Sequence, residues 1–355
     1  MILNCSLRAR FWFSLFAGVA LLLPTGCSGN GGGAGGRQFL SIGTAPVGGA
    51  FFPVGGAIAA TLNDNKGDNT WKVTGEATKG SQENIRRLDK GQLDLALSNS
   101  AITYFAVRGE EGWDKQYPMR TVMTLAPNIA FFISPDATGI KTIPDMKGKR
   151  VILGPAGAGF EYFLKPMLAQ EGVSYDDLQV LHATQSDAVG QLADDAAQAA
   201  FLGGAVPTAS ITQACTTQDI NFIPFGPAAI EKLVLEYPFF KEAVVPAGTY
   251  PKHDEAYQGL NVGSMHLITT AAMPDELIYD ITKTIYENRE EVTAKHPAGK
   301  SINPNNIATY TGTPFHPGAI AYYKEIGIWK GESSELTEVD DTNIAKPADV
   351  APENE

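Results

Sequence analysis

Residues 72–109, KVTGEATKGSQENIRRLDKGQLDLALSNSAITYFAVRG, have a pattern that predicts a strand, a glycine turn, a helix, a second strand and a second helix. Gly80 and Ser81 form the turn and the N-cap of the first helix, and Gly91 ends that helix. A Gly-Ser turn between a strand and a helix leaves backbone N–H groups free at the carboxyl edge of a sheet, where open α/β folds bind small anions. An ordinary helix start has the same composition, so this stretch alone leaves both interpretations open.

The same alternation of strand, glycine-rich turn and helix recurs along the chain, which predicts an α/β fold. Two extended stretches, residues 121–135 and 257–270, are longer than one strand needs, and we interpret each as leaving one sheet and entering another. We therefore expect two lobes joined by two crossing strands. Lobe 1 would comprise residues 38–134 and 262–330, and lobe 2 would comprise residues 135–261.

The glycine-rich turns mark the expected binding surface. Turns from two facing lobes would form a cleft with N–H donors on both walls. The turn residues are Gly48, Gly49 and Ala50, then Gly80 and Ser81, then Gly157, Ala158 and Gly159, and finally Gly204.

Composition narrows the possible partners. At 355 residues the chain is long enough for two cores, and its net charge is −12. Such an acidic balance argues against a nucleic-acid surface and against direct binding to an anionic membrane. Small molecules or proteins are the expected partners, and we expect a monomer.

The N-terminal residues have the pattern of an export signal. Arg8 and Arg10 precede an apolar run, residues 11–23, and small residues precede Cys27, so residues 1–26 are expected to be a signal peptide. The end of this segment resembles the lipobox of bacterial lipoproteins, in which the cysteine is acylated, although Pro24 stands where leucine is usual. Plain secretion is the alternative. We expect the protein in the periplasm, with a glycine-rich tether at residues 27–37 and an acidic, disordered tail at residues 331–355.

Catalytic signatures are scarce. The sequence has no Gly-x-Ser-x-Gly elbow, HExxH motif, P-loop or complete GxGxxG turn, and we expect no cofactor and no metal. Glu76 lies close to the predicted Gly80-Ser81 turn and is a candidate cleft carboxylate. A secreted hydrolase that uses Glu76 is therefore an alternative to a binding protein, and a sensory binding protein is another.

Four segments carry a resemblance to a known family: GTAPVGGAFFPVGGAIA, EATKGSQENIRRLDKGQLDLAL, KGKRVILGPAGAG and FHPGAIAYYKEIGIW. Together they resemble the TAXI-type extracytoplasmic solute receptors of TRAP (tripartite ATP-independent periplasmic) transporters, over most of residues 39–329. The resemblance implies a type II periplasmic-binding-protein fold, with two α/β lobes joined by a two-strand hinge around a central cleft. It also implies a small organic acid as ligand, such as glutamate or a dicarboxylate. The partners would be the membrane subunits of a transporter driven by an ion gradient.

Several positions depart from the family pattern at the expected cleft. Phe51 and Phe52 replace a tyrosine pair, Ala158 and Phe160 stand where serine and threonine are frequent, and Asn99 replaces a glutamine. These changes remove hydroxyl groups and add aromatic surface, so we expect a carboxylate with an apolar body as ligand. The complete set of candidate binding residues is Gly48, Gly49, Ala50, Phe51, Phe52, Glu76, Lys79, Gly80, Ser81, Asn99, Gly157, Ala158, Gly159, Phe160 and Gly204.

Overall fold

The computed structural model describes residues 38–47 and 49–332. The signal peptide, the tether, Cys27, Gly48 and the tail beyond residue 332 lie outside the described residues. The strands are Phe39–Gly43 (β1), Lys72–Glu76 (β2), Leu95–Asn99 (β3), Met119–Thr124 (β4), Ile129–Pro135 (β5), Arg150–Ile152 (β6), Gln179–Leu181 (β7), Ala199–Gly204 (β8), Ile220–Ile223 (β9), Phe240–Val245 (β10), Tyr257–Val262 (β11) and Met265–Thr270 (β12). The helices are Phe51–Asp64 (α1), Ser81–Asp89 (α2), Ser100–Arg108 (α3), Glu161–Gln170 (α4), Gln185–Ala193 (α5), Ala209–Thr217 (α6), Pro227–Glu236 (α7), Asp275–Glu287 (α8), Arg289–Lys295 (α9) and Pro317–Glu325 (α10).

The first sheet has five strands in the order β2-β1-β3-β12-β4. The strands β1, β2 and β3 are parallel, so the helices α1 and α2 that connect them start at the carboxyl edge of the sheet. The strand β12 runs antiparallel to both β3 and β4. One core packs on this sheet, with Ile42, Leu97 and Ile281 fully buried.

The second sheet has seven strands, with β10-β11-β5-β8-β6-β7 in order and β9 also paired with β5. The strands β6, β7 and β8 are parallel, whereas β5 runs antiparallel to β8, β9 and β11. The two over-long stretches of the sequence are each split into two strands that belong to different sheets, β4 with β5 and β11 with β12. The chain therefore has a two-lobed α/β architecture.

One predicted boundary needs correction. The sequence analysis placed residues up to 134 in lobe 1, but β5 (Ile129–Pro135) pairs only with strands of the second sheet. The change of sheet occurs earlier, between Thr124 and Ile129, because Pro127 interrupts the extended run there. We therefore use lobe 1 for residues up to 124 and from 265, and lobe 2 for residues 129–262. The crossing segments are residues 125–128 and 263–264.

Asparagine side chains hold the two crossing segments in place. The Asn99 amide group, at the start of α3, donates to the carbonyl oxygens of Val262 and Gly263 at 3.1 and 3.0 Å. The backbone N–H of Asn128 donates to Oδ1 of Asn261 at 2.9 Å. Both crossing segments are therefore bonded to buried asparagine side chains.

The lobes also share an apolar contact, which we name the interlobe aromatic cluster. Phe105 of α3 contacts rings of lobe 2 on two sides, with centroids 6.0 Å from Tyr162 and 5.7 Å from Phe239. Trp113 stacks on Tyr162 as well. Burial raises the pKa of the Tyr162 hydroxyl above its ordinary value, so this ring remains neutral within the contact. The cluster consists of Tyr104, Phe105 and Trp113 from lobe 1 and Tyr162, Tyr237 and Phe239 from lobe 2.

The predicted acidic tail begins later than expected. Glu332 is half-buried, and its carboxylate accepts a hydrogen bond from the backbone N–H of Phe315 at 2.5 Å. Burial raises the pKa of this carboxyl group. Gly331 and Glu332 therefore belong to lobe 1, and the rest of the tail prediction lies outside the described residues. None of the helices in the described part of the chain is long and apolar enough to span a bilayer.

Candidate functional site

A cavity lies between the carboxyl edges of the two sheets. The volume open to the centres of water molecules is about 60 Å³. Both lobes and a crossing segment contribute to its walls. The lining residues are Ala45, Pro46, Val47, Gly49, Ala50, Phe51, Lys79, Gly80, Ser81, Asn99, Asn128, Pro155, Ala158, Phe160, Thr184, Gln185 and Gly203.

Three helices begin at this cavity. Ala50 precedes α1, Gly80 precedes α2 and Thr184 precedes α5, and each of these residues lines the wall. The first turn of α1 contains no acidic residue, and Ala50 offers no side chain that could cap its N–H groups. Free N–H groups and the positive end of the helix dipole favour an anion at such a position. The cavity therefore has the electrostatic character of an anion site, strongest at the start of α1.

Lys79 is the only charged residue among those that line the cavity. Its backbone N–H donates to the Glu83 carboxylate at 3.1 Å, which orients the residue at the start of α2. Its ammonium group makes no ion pair with any described residue. Lys79 therefore lines the cavity without an ion-pair partner among the described residues.

The turn at Gly80 and Ser81 lies at the cavity, but much of its bonding capacity is used within the protein. The hydroxyl oxygen of Ser81 accepts from the backbone N–H of Asn99 at 2.9 Å. The N–H of Gln82 approaches the Ala158 carbonyl oxygen of lobe 2 at 3.4 Å. Gly80 has φ 121°, a conformation that side chains rarely adopt, and an added Cβ would stand 3.4 Å from the Ala158 Cβ. The two lobes thus meet at this turn, and the Ser81 hydroxyl hydrogen has no acceptor among residues 38–47 and 49–332.

Glu76 does not line the cavity. Its carboxylate pairs with the Arg87 guanidinium, with Nη2 to Oε2 at 2.7 Å, and its carbonyl oxygen accepts from Thr44. The interpretation of Glu76 as a cleft carboxylate was therefore wrong. A strand-end acid next to a glycine turn looks the same in sequence whether it faces the cleft or an arginine of the adjacent helix.

Four other candidate residues surround the cavity without lining it. Gly159 is buried, and a Cβ there would stand 3.2 Å from Gln82 and from Ile102. Gly157 is exposed and Phe52 is partly buried, and a Cβ on Gly204 would stand 3.5 Å from Oγ1 of Thr208. Gly159 therefore allows the two lobes to approach each other closely. Its role is in packing, and it does not line the cavity.

Apolar side chains form much of the remaining wall. Phe51 packs partly on the core of lobe 1 and Phe160 partly on the core shared by the lobes. The ring of Phe160 lies edge-on to Phe201 with centroids 5.7 Å apart. It also covers Gly154, where an added Cβ would stand 2.3 Å from the ring. Because Phe160 is packed on two sides, it presents a rigid apolar surface to the cavity.

The sequence analysis missed several lining residues. Gln185 bonds both backbone groups of Gly203, donating to the carbonyl at 2.7 Å and accepting from the N–H at 3.3 Å. Thr184 donates to the Asp187 carboxylate at 2.7 Å and caps α5. The N-cap pattern Thr-x-x-Asp was a usable signal for these residues. Asn128 follows Pro127 in a crossing segment, and no local pattern marks it as a binding residue.

Three of the solved structures that resemble this chain are named as binding proteins. A phosphonate-transporter binding component from Pseudomonas aeruginosa has a TM-score of 0.52 and 10% sequence identity, over 74% of this chain and 79% of that chain. The aliphatic sulphonate binding protein SsuA from Escherichia coli has a TM-score of 0.44 and 14% identity, over 81% and 79% of the two chains. A histidine-bound substrate binding protein from Streptococcus pneumoniae has a TM-score of 0.46 and 13% identity, over 72% and 91%. At these identities the likeness concerns the fold alone.

The fold and the interlobe cavity define the molecule as a protein of the two-lobed periplasmic-binding-protein fold. Residues 42–327 match the model of the NMT1-like family. The chain belongs to the NMT1-like family. The fold expected from the sequence, the two-lobed architecture of a type II periplasmic-binding protein, is confirmed.

Proposed function

We propose that the protein is an extracytoplasmic receptor that captures a small organic acid and delivers it to a membrane transporter. The observation that supports this most directly is the cavity between the lobes, which is lined by the uncapped start of α1 and by Lys79, whose ammonium group has no ion-pair partner among the described residues. An anion held there would contact lobe 1 through these groups and lobe 2 through Ala158, Thr184 or Gln185. Binding would thus favour the closed arrangement of the lobes.

The carboxylate of the ligand would be held by backbone N–H groups around Gly49 and Ala50, by Lys79 and by the Ser81 hydroxyl. Backbone donors need no particular side chain, so the phenylalanines at 51 and 52 do not interfere with this role. The remainder of the ligand would lie against Phe51 and Phe160. Lobe closure would exclude water and strengthen each of these interactions.

Delivery to a TRAP transporter is the finer part of the proposal, and it rests on the four resembling sequence segments. When the receptor is expressed together with TRAP-type membrane subunits, cells should take up the organic acid. This uptake should depend on an ion gradient and not on ATP. Uptake that requires ATP would assign the receptor to an ABC-type system instead.

We also propose a periplasmic location with a lipid anchor at Cys27. Acylation with two or more chains would supply stable attachment, because each buried methylene contributes about 0.8 kcal/mol. Cys27→Ala should move the protein from the membrane fraction to the soluble fraction. An unchanged distribution would contradict the lipid anchor and leave plain secretion.

Mass spectrometry of the ligand released from protein purified under native conditions tests the core of the proposal, and it should find a small organic acid. Melting temperature and product formation are then followed with that acid. We expect the melting temperature to rise with ligand concentration and the acid to remain unchanged. Turnover of the acid would instead support the hydrolase alternative, which the pairing of Glu76 with Arg87 leaves without its expected carboxylate.

A further inference from the structure

The polar side chains of the cavity differ in how much of their bonding capacity is free. Thr184 and Gln185 are bonded to other protein groups, as described above. Asn99 donates to two carbonyl oxygens and accepts from the N–H of Ala101 at 2.8 Å. Ser81 has its oxygen engaged by Asn99. Polar groups that the protein itself pairs have little capacity left for a ligand, so an amide of the wall without a protein partner is the one available to a ligand.

Asn128 is that free amide. Its backbone is bonded on both sides, with its N–H donating to Asn261 and its carbonyl oxygen accepting from Val262 at 2.9 Å. Its half-buried side-chain amide, in contrast, has no hydrogen-bond partner among residues 38–47 and 49–332. Its Oδ1 stands 3.8 Å from the position of an added Cβ on Gly204, at the end of β8. The amide therefore lies between a crossing segment and the carboxyl edge of the second sheet.

The amide shares one cavity with the groups expected to hold the carboxylate. Asn128, Lys79 and the start of α1 all line its wall. A ligand whose carboxylate lies at Lys79 and the start of α1 would therefore bring its next carbon atoms into the space that Asn128 also lines. An amide offers both a donor and an acceptor, so it can pair with a hydroxyl or with an oxo group.

We propose that Asn128 is a specificity-determining residue that binds a hydroxyl or oxo group on the carbon next to the ligand carboxylate. The inference rests on the proposed function, because it takes the ligand to be an organic acid in this cavity. It narrows the ligand class to 2-hydroxy or 2-oxo acids. One neutral hydrogen bond in a half-buried site gives a preference of about ten-fold over the unsubstituted acid.

Titration calorimetry with paired acids tests this assignment. The pairs are butanoate with 2-hydroxybutanoate, 4-methylpentanoate with 2-hydroxy-4-methylpentanoate, and succinate with malate. The wild type should bind the hydroxylated member of its best pair about ten-fold more tightly. Asn128→Ala should bring the ratio of the two affinities close to one, while binding of the unsubstituted acid changes by less than about two-fold. That retained binding shows that the variant is folded.

Asn305→Ala is the matched control, because Asn305 is an exposed asparagine that does not line the cavity. It should leave the ratio for the two acids as in the wild type. A ratio that survives in Asn128→Ala would overturn the role of Asn128 and leave the proposed function intact. Failure of the wild type to bind any acid of the three pairs would overturn the proposed function and this inference together.

Discussion

Tyr162 of lobe 2 stacks on Trp113 of lobe 1, with ring centroids 5.5 Å apart and planes 17° from parallel. The Arg86 guanidinium lies over the same indole ring at 5.4 Å from its centroid. The Gln82 amide donates to the Tyr162 hydroxyl at 3.1 Å. These contacts join α2 and the segment before β4 to α4, close to the turn where the cavity lies. The contact between the lobes is therefore stabilised by aromatic packing.

Removal of this ring should loosen the closed arrangement. Tyr162→Ala is expected to lower the free energy of unfolding by about 3 kcal/mol, because the side chain is buried and its loss leaves a cavity. It should also increase the radius of gyration of the ligand-free protein in X-ray scattering. Tyr162→Phe keeps the ring and loses only the hydrogen bond from Gln82. Its free energy of unfolding should therefore lie within about 1.5 kcal/mol of the wild-type value.

A Tyr162→Ala variant with the wild-type radius of gyration, in both the ligand-free and the bound state, would contradict the role of the cluster in closure. The fluorescence of Trp113 offers an independent measurement, since its emission should shift to longer wavelength as the lobes separate.

Lys79→Met tests the charge of the cavity. Affinity for the bound acid should fall by about ten- to hundred-fold, the effect of one hydrogen bond to a charged group. The melting temperature without ligand should stay the same, because the Lys79 ammonium group has no ion-pair partner among the described residues. Lys90→Met is the control, since Lys90 is exposed and lies at the other end of α2. Equal affinity losses in both variants would point to a general effect of net charge instead.

The stability of the protein should depend on the protonation of His266. This residue is completely buried, where its Nε2 lies 2.9 Å from the Thr103 hydroxyl and its Nδ1 lies 3.4 Å from the Thr121 hydroxyl. Burial lowers the pKa of His266 from 6.5 to about 3. Between these pH values the unfolded chain binds a proton that the folded protein does not bind. The stabilisation is therefore complete above pH 6.5 and is lost as the pH falls towards 3.

Chemical denaturation at pH 7.5, 6 and 5 measures this effect. Below pH 6.5 one such group contributes a loss of about 1.4 kcal/mol per pH unit. Burial also lowers the pKa values of His253, His296 and His316, which adds losses of the same sign. His266→Gln should be less stable at pH 7.5 and should lose less stability on acidification. A pH dependence equal to that of the wild type would exclude His266 as a contributor.

The order of strands and helices was predictable because hydrophobic periodicity and glycine turns are local signals. Ile85 and Leu88 are buried on α2 as their spacing indicates, and Pro127 does interrupt the first long extended run. The prediction for Glu76 was wrong because its partner, Arg87, lies in a different element. The role of Asn128 depends on which neighbouring groups are already bonded, and this is a property of the folded chain.

The interlobe aromatic cluster could not be predicted for a related reason. Trp113 lies between α3 and β4, in a segment without helical or strand periodicity. The neighbouring residues therefore do not predict which part of the protein its ring contacts. Tyr162 is on the apolar face of α4 and would be assigned to the core of its own lobe. Only the closed arrangement of the two lobes brings these rings together.

The last prediction concerns the number of charges on the ligand. Among the lining residues, Lys79 alone carries a charge, and Phe51, Ala158 and Phe160 are apolar. One carboxylate can be held by Lys79 and the start of α1. A second carboxylate would find no second cation among the lining residues, and an unpaired buried polar group costs at least about 1–3 kcal/mol. We therefore expect a monocarboxylate with an aliphatic or aromatic tail to bind about ten-fold more tightly than glutamate or a four-carbon dicarboxylate.

Ala158→Ser should narrow this difference, because it adds a hydroxyl donor to the lobe 2 wall at a buried lining position. Ala156→Ser is the matched control, since Ala156 belongs to the same loop but is exposed and does not line the cavity. Titration calorimetry of the wild type and both variants is carried out with 4-methylpentanoate, glutamate and succinate. For each protein it gives the affinity for the monocarboxylate relative to that for each dicarboxylate. If a dicarboxylate binds the wild type ten-fold more tightly than every tailed monocarboxylate tested, a second cation must reach the cavity, and the assignment of Lys79 as its only charge is wrong.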